Sequence, residues 1–188
     1  MSHKLTTPAA VAAALVAMFA TPAFAADYVQ ATGSALSFST KYDGETFTGR
    51  FPGFATKLSF DPANLASANL DVTIPLASAE TGNGDRDSTL KTSDFFDIAK
   101  FAQARYTATK FRDLGNGRYA ADGTLSLKGV SKPVTLTFTW TPGTQPILTG
   151  SATIKRLDFG VGGGDWADTG TIPDEVAIST KVRLNPAN

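Results

Sequence analysis

Ala68, Leu70, Val72, Ile74 and Leu76 alternate with Asn69, Asp71 and Thr73, and this period of two constrains the chain more than any other feature. Successive side chains leave a β-strand on opposite faces, so the row belongs to a sheet with one apolar face. The pattern recurs at Leu36, Phe38, Thr40 and Tyr42, and again at Tyr119, Ala121, Gly123, Leu125 and Leu127. It returns at Val134, Leu136, Phe138 and Trp140, at Leu148, Gly150, Ala152 and Ile154, and at Val176, Ile178, Thr180, Val182 and Leu184. With Glu45 to Phe60 and Tyr106 to Phe111, roughly eight strands emerge, an all-β antiparallel sandwich or barrel.

Turn residues punctuate these rows. Asp43-Gly44 and Asn116-Gly117 are hairpin signals, because both central positions of a tight hairpin turn need a left-handed backbone. Pro52-Gly53 interrupts the strand from Glu45 to Phe60, which reads as one long strand bent at a bulge. Pro75 marks an edge or a strand end, and Lys132-Pro133 precedes the Val134 strand as a guard against edge pairing. The inward rows mix large residues with Ala121, Gly123, Gly150 and Ala152, so a filled interior and one with room for a ligand both fit.

Residues 1–25 read as a secretory signal peptide: Lys4 gives a positive start, Ala9 to Phe19 an apolar run, and Ala23-Phe24-Ala25 a cleavage site. The apolar run is too short to span a bilayer, so no stable membrane anchor is expected. Residues 26–188 then form one domain, and without Lys4 they carry 16 basic against 17 acidic residues. Such a balance leaves no electrostatic footprint for nucleic acid.

The chain has no cysteine, and its one histidine, His3, lies in the expected signal peptide. Disulfides, thiol chemistry, Cys/His zinc sites and Ser-His-Asp catalysis therefore have no residues to work with in residues 26–188. No catalytic or metal-binding set is expected, and no cofactor. Asp85, Asp87, Arg86 and Lys91 lie too close in sequence for a glycosidase pair and suit capping and ion pairing in a tight turn. The glycines of Asp158 to Gly164 lack the lysine and helix of a phosphate loop.

Thr81 to Phe101 is a link of about twenty residues, longer than ordinary strand connections, and such segments tend to be lids or binding loops. One or two short helices are expected in it, around Asp85 to Lys91 and after Ser93 as an N-cap. Phe95, Phe96 and Phe101 suit either a cap on the barrel mouth or a plug in its core. Arg156 follows an inward row and, if buried, needs a partner such as Asp158. Trp166 lies in a glycine-rich connection where it is expected to cover an opening.

Several segments in order resemble the YceI-like family of periplasmic polyisoprenoid-binding proteins. They are Phe47-Thr48-Gly49-Arg50-Phe51, Leu58-Ser59-Phe60-Asp61-Pro62, Thr81-Gly82-Asn83 with Arg86-Asp87 and Leu90-Lys91, and Asp94-Phe95-Phe96-Asp97 with Lys100-Phe101. Gly123-Thr124-Leu125, Lys128-Gly129-Val130, Lys132-Pro133-Val134, Arg156 to Val161 and Asp174-Glu175-Val176 complete the series. The resemblance implies an elongated, eight-stranded, lipocalin-like barrel that is not an enzyme and holds an isoprenoid lipid, such as a quinone or a polyprenyl phosphate, in the periplasm. Relatives often carry histidines where Gly33 and Tyr42 stand here, so a histidine contribution to headgroup binding is missing.

On that reading the cavity wall is formed by Phe38, Phe60, Leu70, Val72, Ile74, Tyr106, Leu125, Leu127, Leu136, Phe138, Trp140, Ile154, Val176 and Ile178. The lid and mouth are formed by Arg86, Asp87, Leu90, Lys91, Phe95, Phe96, Phe101, Arg156 and Trp166. Two other readings stand beside it: an interaction module with a filled barrel, and a cofactor-free hydrolase or isomerase. A homodimer is left open.

Overall fold

The computed structural model describes residues 26–187, so the expected signal peptide lies outside the described residues. Ten strands alternate with short turns: β1 (Ala26–Gln30), β2 (Ala35–Tyr42), β3 (Glu45–Arg50), β4 (Ala55–Phe60) and β5 (Asn69–Pro75) precede the long loop. After it come β6 (Gln103–Gly115), β7 (Arg118–Leu127), β8 (Val130–Thr141), β9 (Ile147–Lys155) and β10 (Glu175–Pro186).

The strands form one antiparallel sheet that closes on itself. β10 pairs with β9 along one edge, and on the other with β2 through Ala177 to Lys181 and then with β1 at Leu184 to Pro186. β1 and β2 are therefore two halves of one broken strand, as β3 and β4 are across Pro52-Gly53, and the ring is an eight-stranded barrel. Closure leaves little free edge. β3 is the exception, since beyond β2 it is joined only through a bridge between Arg50 and Glu80, whose side chains also pair.

The expected turns appear: Asp43 (φ 48°) with Gly44 (φ 82°), and Asn116 (φ 55°) with Gly117 (φ 71°), take the left-handed backbone that tight hairpins require. Two strand boundaries differ from expectation. β1 is short and half-exposed, with little periodic signal. β8 starts at Val130, so Lys132 and Pro133 lie inside it, paired with Leu125 and Thr124, and do not precede it.

Thr81 to Phe101 contains one helix, α1 (Gly84–Leu90), capped by the Asn83 side chain, which accepts from the Arg86 N–H at 2.9 Å. The segment after Ser93 forms turns and no helix. Phe96 N–H returns to the Leu90 carbonyl and Asp97 N–H to that of Thr92, and Asp97 itself adopts φ 49°. Of the small inward residues, Gly123 lies under the Tyr106 ring and Gly150 against Leu136 and Phe138, while Ala152 faces open space. Small-against-large packing and room for a ligand are thus both present, at different places.

Candidate functional site

One end of the barrel is solid. Phe60, from β4, is 1% exposed and sits at the centre of a ring cluster, with centroids 4.9 Å from Trp140, 5.2 Å from Tyr119, 5.6 Å from Phe138 and 5.9 Å from Phe111. Tyr28 closes the cluster against Trp140 at 5.5 Å. Edge-to-face and offset geometry of this kind adds stabilisation beyond buried area.

The other half is hollow. A cavity of about 440 Å³ is walled by Leu70, Val72, Ile74, Tyr106, Leu125, Leu127, Leu136, Ile154, Val176 and Ile178, and by Phe38 on β2. That volume falls in the range of small-molecule pockets. Of the wall residues expected from the sequence, Phe60, Phe138 and Trp140 do not line it. They belong to the aromatic cluster below, because inward parity cannot tell which layer of a barrel is filled.

The mouth lies where exposed lining residues gather: Tyr42 at the tip of the β2–β3 hairpin, and Asn83 and Asp85 at the start of α1. An arc of rings borders it, Phe47 to Phe38 at 6.5 Å, Phe38 to Phe51 at 5.3 Å and Phe51 to Phe96 at 6.0 Å. The Arg86 guanidinium lies 4.1 Å above the Phe47 ring, a cation–π arrangement, and makes no ion pair among the described residues. Leu90, Phe95, Phe96 and Trp166 also line the cavity, and Trp166 meets Phe95 edge-on at 5.5 Å.

Asp87, Lys91 and Phe101 do not line it. Asp87 points away and accepts from Thr81 N–H and Oγ1, both at 2.7 Å, which shapes the turn entering α1. Lys91 is the exposed C-cap of α1, and Phe101 packs over Gly129.

Arg156 borders the cavity, but its charge is already engaged. Its side chain donates to the carbonyls of Pro173 (3.1 Å), Val161 (3.1 Å), Gly162, Trp166 (2.9 Å) and Ile172 (2.8 Å). The expected partner Asp158 is exposed, so a cage of main-chain oxygens replaces a carboxylate. Gly162 makes the cage: its φ is 66°, and a Cβ there would lie 2.6 Å from the Arg156 guanidinium. Burial lowers the Arg156 pKa and the nearby Asp174 opposes this. Lys128 ties the two mouth loops together by donating to the carbonyls of Asp94 (3.2 Å) and Gly160 (2.6 Å).

Two polar groups face the apolar wall. The buried Tyr106 hydroxyl lies 2.8 Å from the Ala121 carbonyl and 3.1 Å from that of Val134, and burial pushes its pKa up to about 12. Thr56, 3% exposed, borders the cavity with an Oγ1 that has no hydrogen-bond partner among the described residues. Sequence reading missed Thr56 on β4, as it missed Phe47 on β3 and Phe51 in the bend between them. Among the described residues no cluster of acidic side chains could hold a metal ion, and no helix is long and apolar enough to cross a membrane.

Residues 28–184 match the family model of the YceI-like domain. A UPF0312 protein of Shewanella baltica (strain OS185) is 33% identical over 165 residues, covering 81% of this chain and 85% of that protein. One from Shewanella denitrificans is 37% identical over 148 residues, covering 73% and 78%. Among solved structures, BcnA of Burkholderia cenocepacia superposes with a TM-score of 0.77 at 30% identity, over 80% of this chain and 95% of that one. A polyisoprenoid binding domain from Saccharophagus degradans, implicated in plant cell wall breakdown, superposes at 0.67 and 20% identity over 87% and 99%, a likeness of fold alone.

Proposed function

The chain belongs to the YceI-like domain family, and from that premise we propose that it is a non-enzymatic carrier of an isoprenoid lipid, a quinone or polyprenyl phosphate, in the periplasm. One observation carries the reading: an apolar cavity of about 440 Å³ inside a closed barrel, opening beside Arg86, a cation with no ion pair among the described residues. Each methylene hidden from water gains about 0.8 kcal/mol, so a hydrocarbon tail has a strong reason to enter. Such a space in an aqueous compartment suits a tail that water rejects.

The headgroup then stays at the mouth, where Arg86 offers a guanidinium to a phosphate or quinone oxygen. The Saccharophagus degradans protein is described as a polyisoprenoid binding domain, and the same ligand class suits this wall. Export through the expected signal peptide supplies the location. A wholly filled barrel, the premise of the interaction-module reading, does not agree with the hollow upper half.

Native mass spectrometry of the full chain expressed with residues 1–25 and purified from the periplasm without detergent tests the proposal. The expected spectrum shows a lipid adduct that is reduced at least severalfold in Arg86→Ala. Protein carrying no lipid, or lipid retained only by unfolded protein, would sink it.

A further inference from the structure

β3 has a free side, and the long loop lies along it. Arg50 exchanges both main-chain bonds with Glu80, N–H to carbonyl at 2.8 Å and 3.0 Å, so its main chain points away from β2. Main-chain groups alternate in direction along an antiparallel strand, so those of Thr46 and Thr48 point the same way. Among the described residues no strand meets them. Instead a polar cleft lined by Thr48, Arg50, Thr81 and Asp87 runs between this edge and the start of α1. On the inner side of the same seam, Phe47 faces Arg86 and Phe51 faces Phe96, and all four line the cavity.

The loop is held unequally on its two sides. Among the described residues no hydrogen bond joins α1 to a strand: its bonds stay within the helix, with Thr81 and Asn83, and with the turn that follows. From Ala79 to Ser93, Glu80 is the only described residue hydrogen-bonded to a strand. Beyond Ser93 the chain is tied down, since the Asp94 carbonyl accepts from Gly162 N–H at 2.7 Å and from Lys128 Nζ at 3.2 Å, and Phe101 packs over Gly129. Before Ala79, Leu76 N–H is fixed to the Ala102 carbonyl at 3.0 Å.

We propose that the stretch from Glu80 to Leu90 is a side gate: it swings off the edge of β3 with the Arg50–Glu80 pair as its latch, and the lipid passes through the seam. The inference rests on the carrier reading of the same cavity and adds the route of its cargo. Opening there extends the mouth into a slot along β3, so a tail slides in sideways instead of threading an opening end-on. Arg50 and Glu80 do not line the cavity, so the latch governs how fast a lipid passes and not how much is held.

Hydrogen-bonded antiparallel pairs stand about 5.5 Å apart at Cα, within disulfide range, and the chain has no cysteine of its own. Arg50→Cys combined with Glu80→Cys therefore places one lock on the latch, which a reductant removes. The full exported protein is loaded with a prenyl alcohol and mixed with excess phosphatidylcholine vesicles, and tryptophan emission follows the release, since Trp166 lines the cavity. The oxidised double variant should release the alcohol at least about tenfold more slowly than its reduced form, with the same amount bound at equilibrium. Equal rates in the two forms would overturn the gate, as would a change in the amount bound with no change in rate. Glu80→Pro probes the latch without a lock: proline deletes the N–H that bonds to the Arg50 carbonyl, and Ala79 before it already has the extended backbone, φ −59° and ψ 127°, that a residue preceding proline needs. Release from this variant should quicken at least about threefold, and a wild-type rate would overturn the latch. Wild-type protein that takes up no prenyl alcohol would overturn the carrier reading itself, and the gate with it.

Discussion

The two ends of the barrel use the same kind of residue for opposite purposes. At the closed end, Phe60, Phe111, Tyr119, Phe138 and Trp140 stand on strands whose positions the ladder sets, and their rings fill the space between them. At the mouth, Phe38 and Phe47 stand on β2 and β3 while Phe95, Phe96 and Trp166 come from the loops above, and these rings surround an opening instead of filling it. What separates a plug from a gate here is what the rings meet: at the closed end they meet one another across four strands, and at the mouth they meet loops and open space.

The largest difference should appear on truncation. Phe60→Ala removes the centre of the solid end and should cost about 3–5 kcal/mol in denaturant unfolding. A loss below about 1 kcal/mol would mean that this end is not packed as described. The mouth has its own structural anchor, and Arg156→Met, which strips five carbonyls of their donor, should cost about 3 kcal/mol while leaving the strands paired by circular dichroism. If that variant matches the wild type, the cage does not hold the mouth loops.

Tyr106 lies between the two regions. Tyr106→Phe should cost about 1 kcal/mol at neutral pH. Because the folded pKa of Tyr106 is raised to about 12, its neutral form is favoured on folding. That contribution is present below the unfolded value near 10 and is lost as pH rises from 10 to 12. Stability measured across that window should fall less steeply in Tyr106→Phe than in the wild type, and equal slopes would remove Tyr106 as the cause. The smallest effect belongs to the wall: Ile178→Val should cost only about 0.5 kcal/mol, since the deleted methyl borders space that is already empty. A cost as large as that of Phe60→Ala would mean that the upper half is packed solid.

The same contrast explains what the sequence reveals. Strand rows, the bent β3–β4 strand and the turns at Asp43-Gly44 and Asn116-Gly117 are legible because periodicity and turn chemistry are local. Leu136 and Phe138 are two residues apart on one face, yet one borders the cavity and the other lies in the plug, a distinction made by ring contacts from β4, β6 and β7. The partners of Arg156 are main-chain oxygens, which every residue has, so no residue type announces them. Lys128-Gly129 is a tight turn with φ 49° and 77°, although a lysine gives little sign of a left-handed backbone. The helix in the long loop is legible in place, but its cap is Asn83, and the turns after Ser93 are held by long-range contact with Gly162 and Lys128.

The chain has two tryptophans, Trp140 in the plug and Trp166 at the mouth, so each end carries its own reporter. In single-tryptophan variants titrated with a prenyl alcohol, a ligand in the upper cavity should shift Trp166 emission in Trp140→Phe and leave Trp140 emission unchanged in Trp166→Phe. A response from Trp140 alone, or from neither, would contradict a lipid site in the hollow half of the barrel.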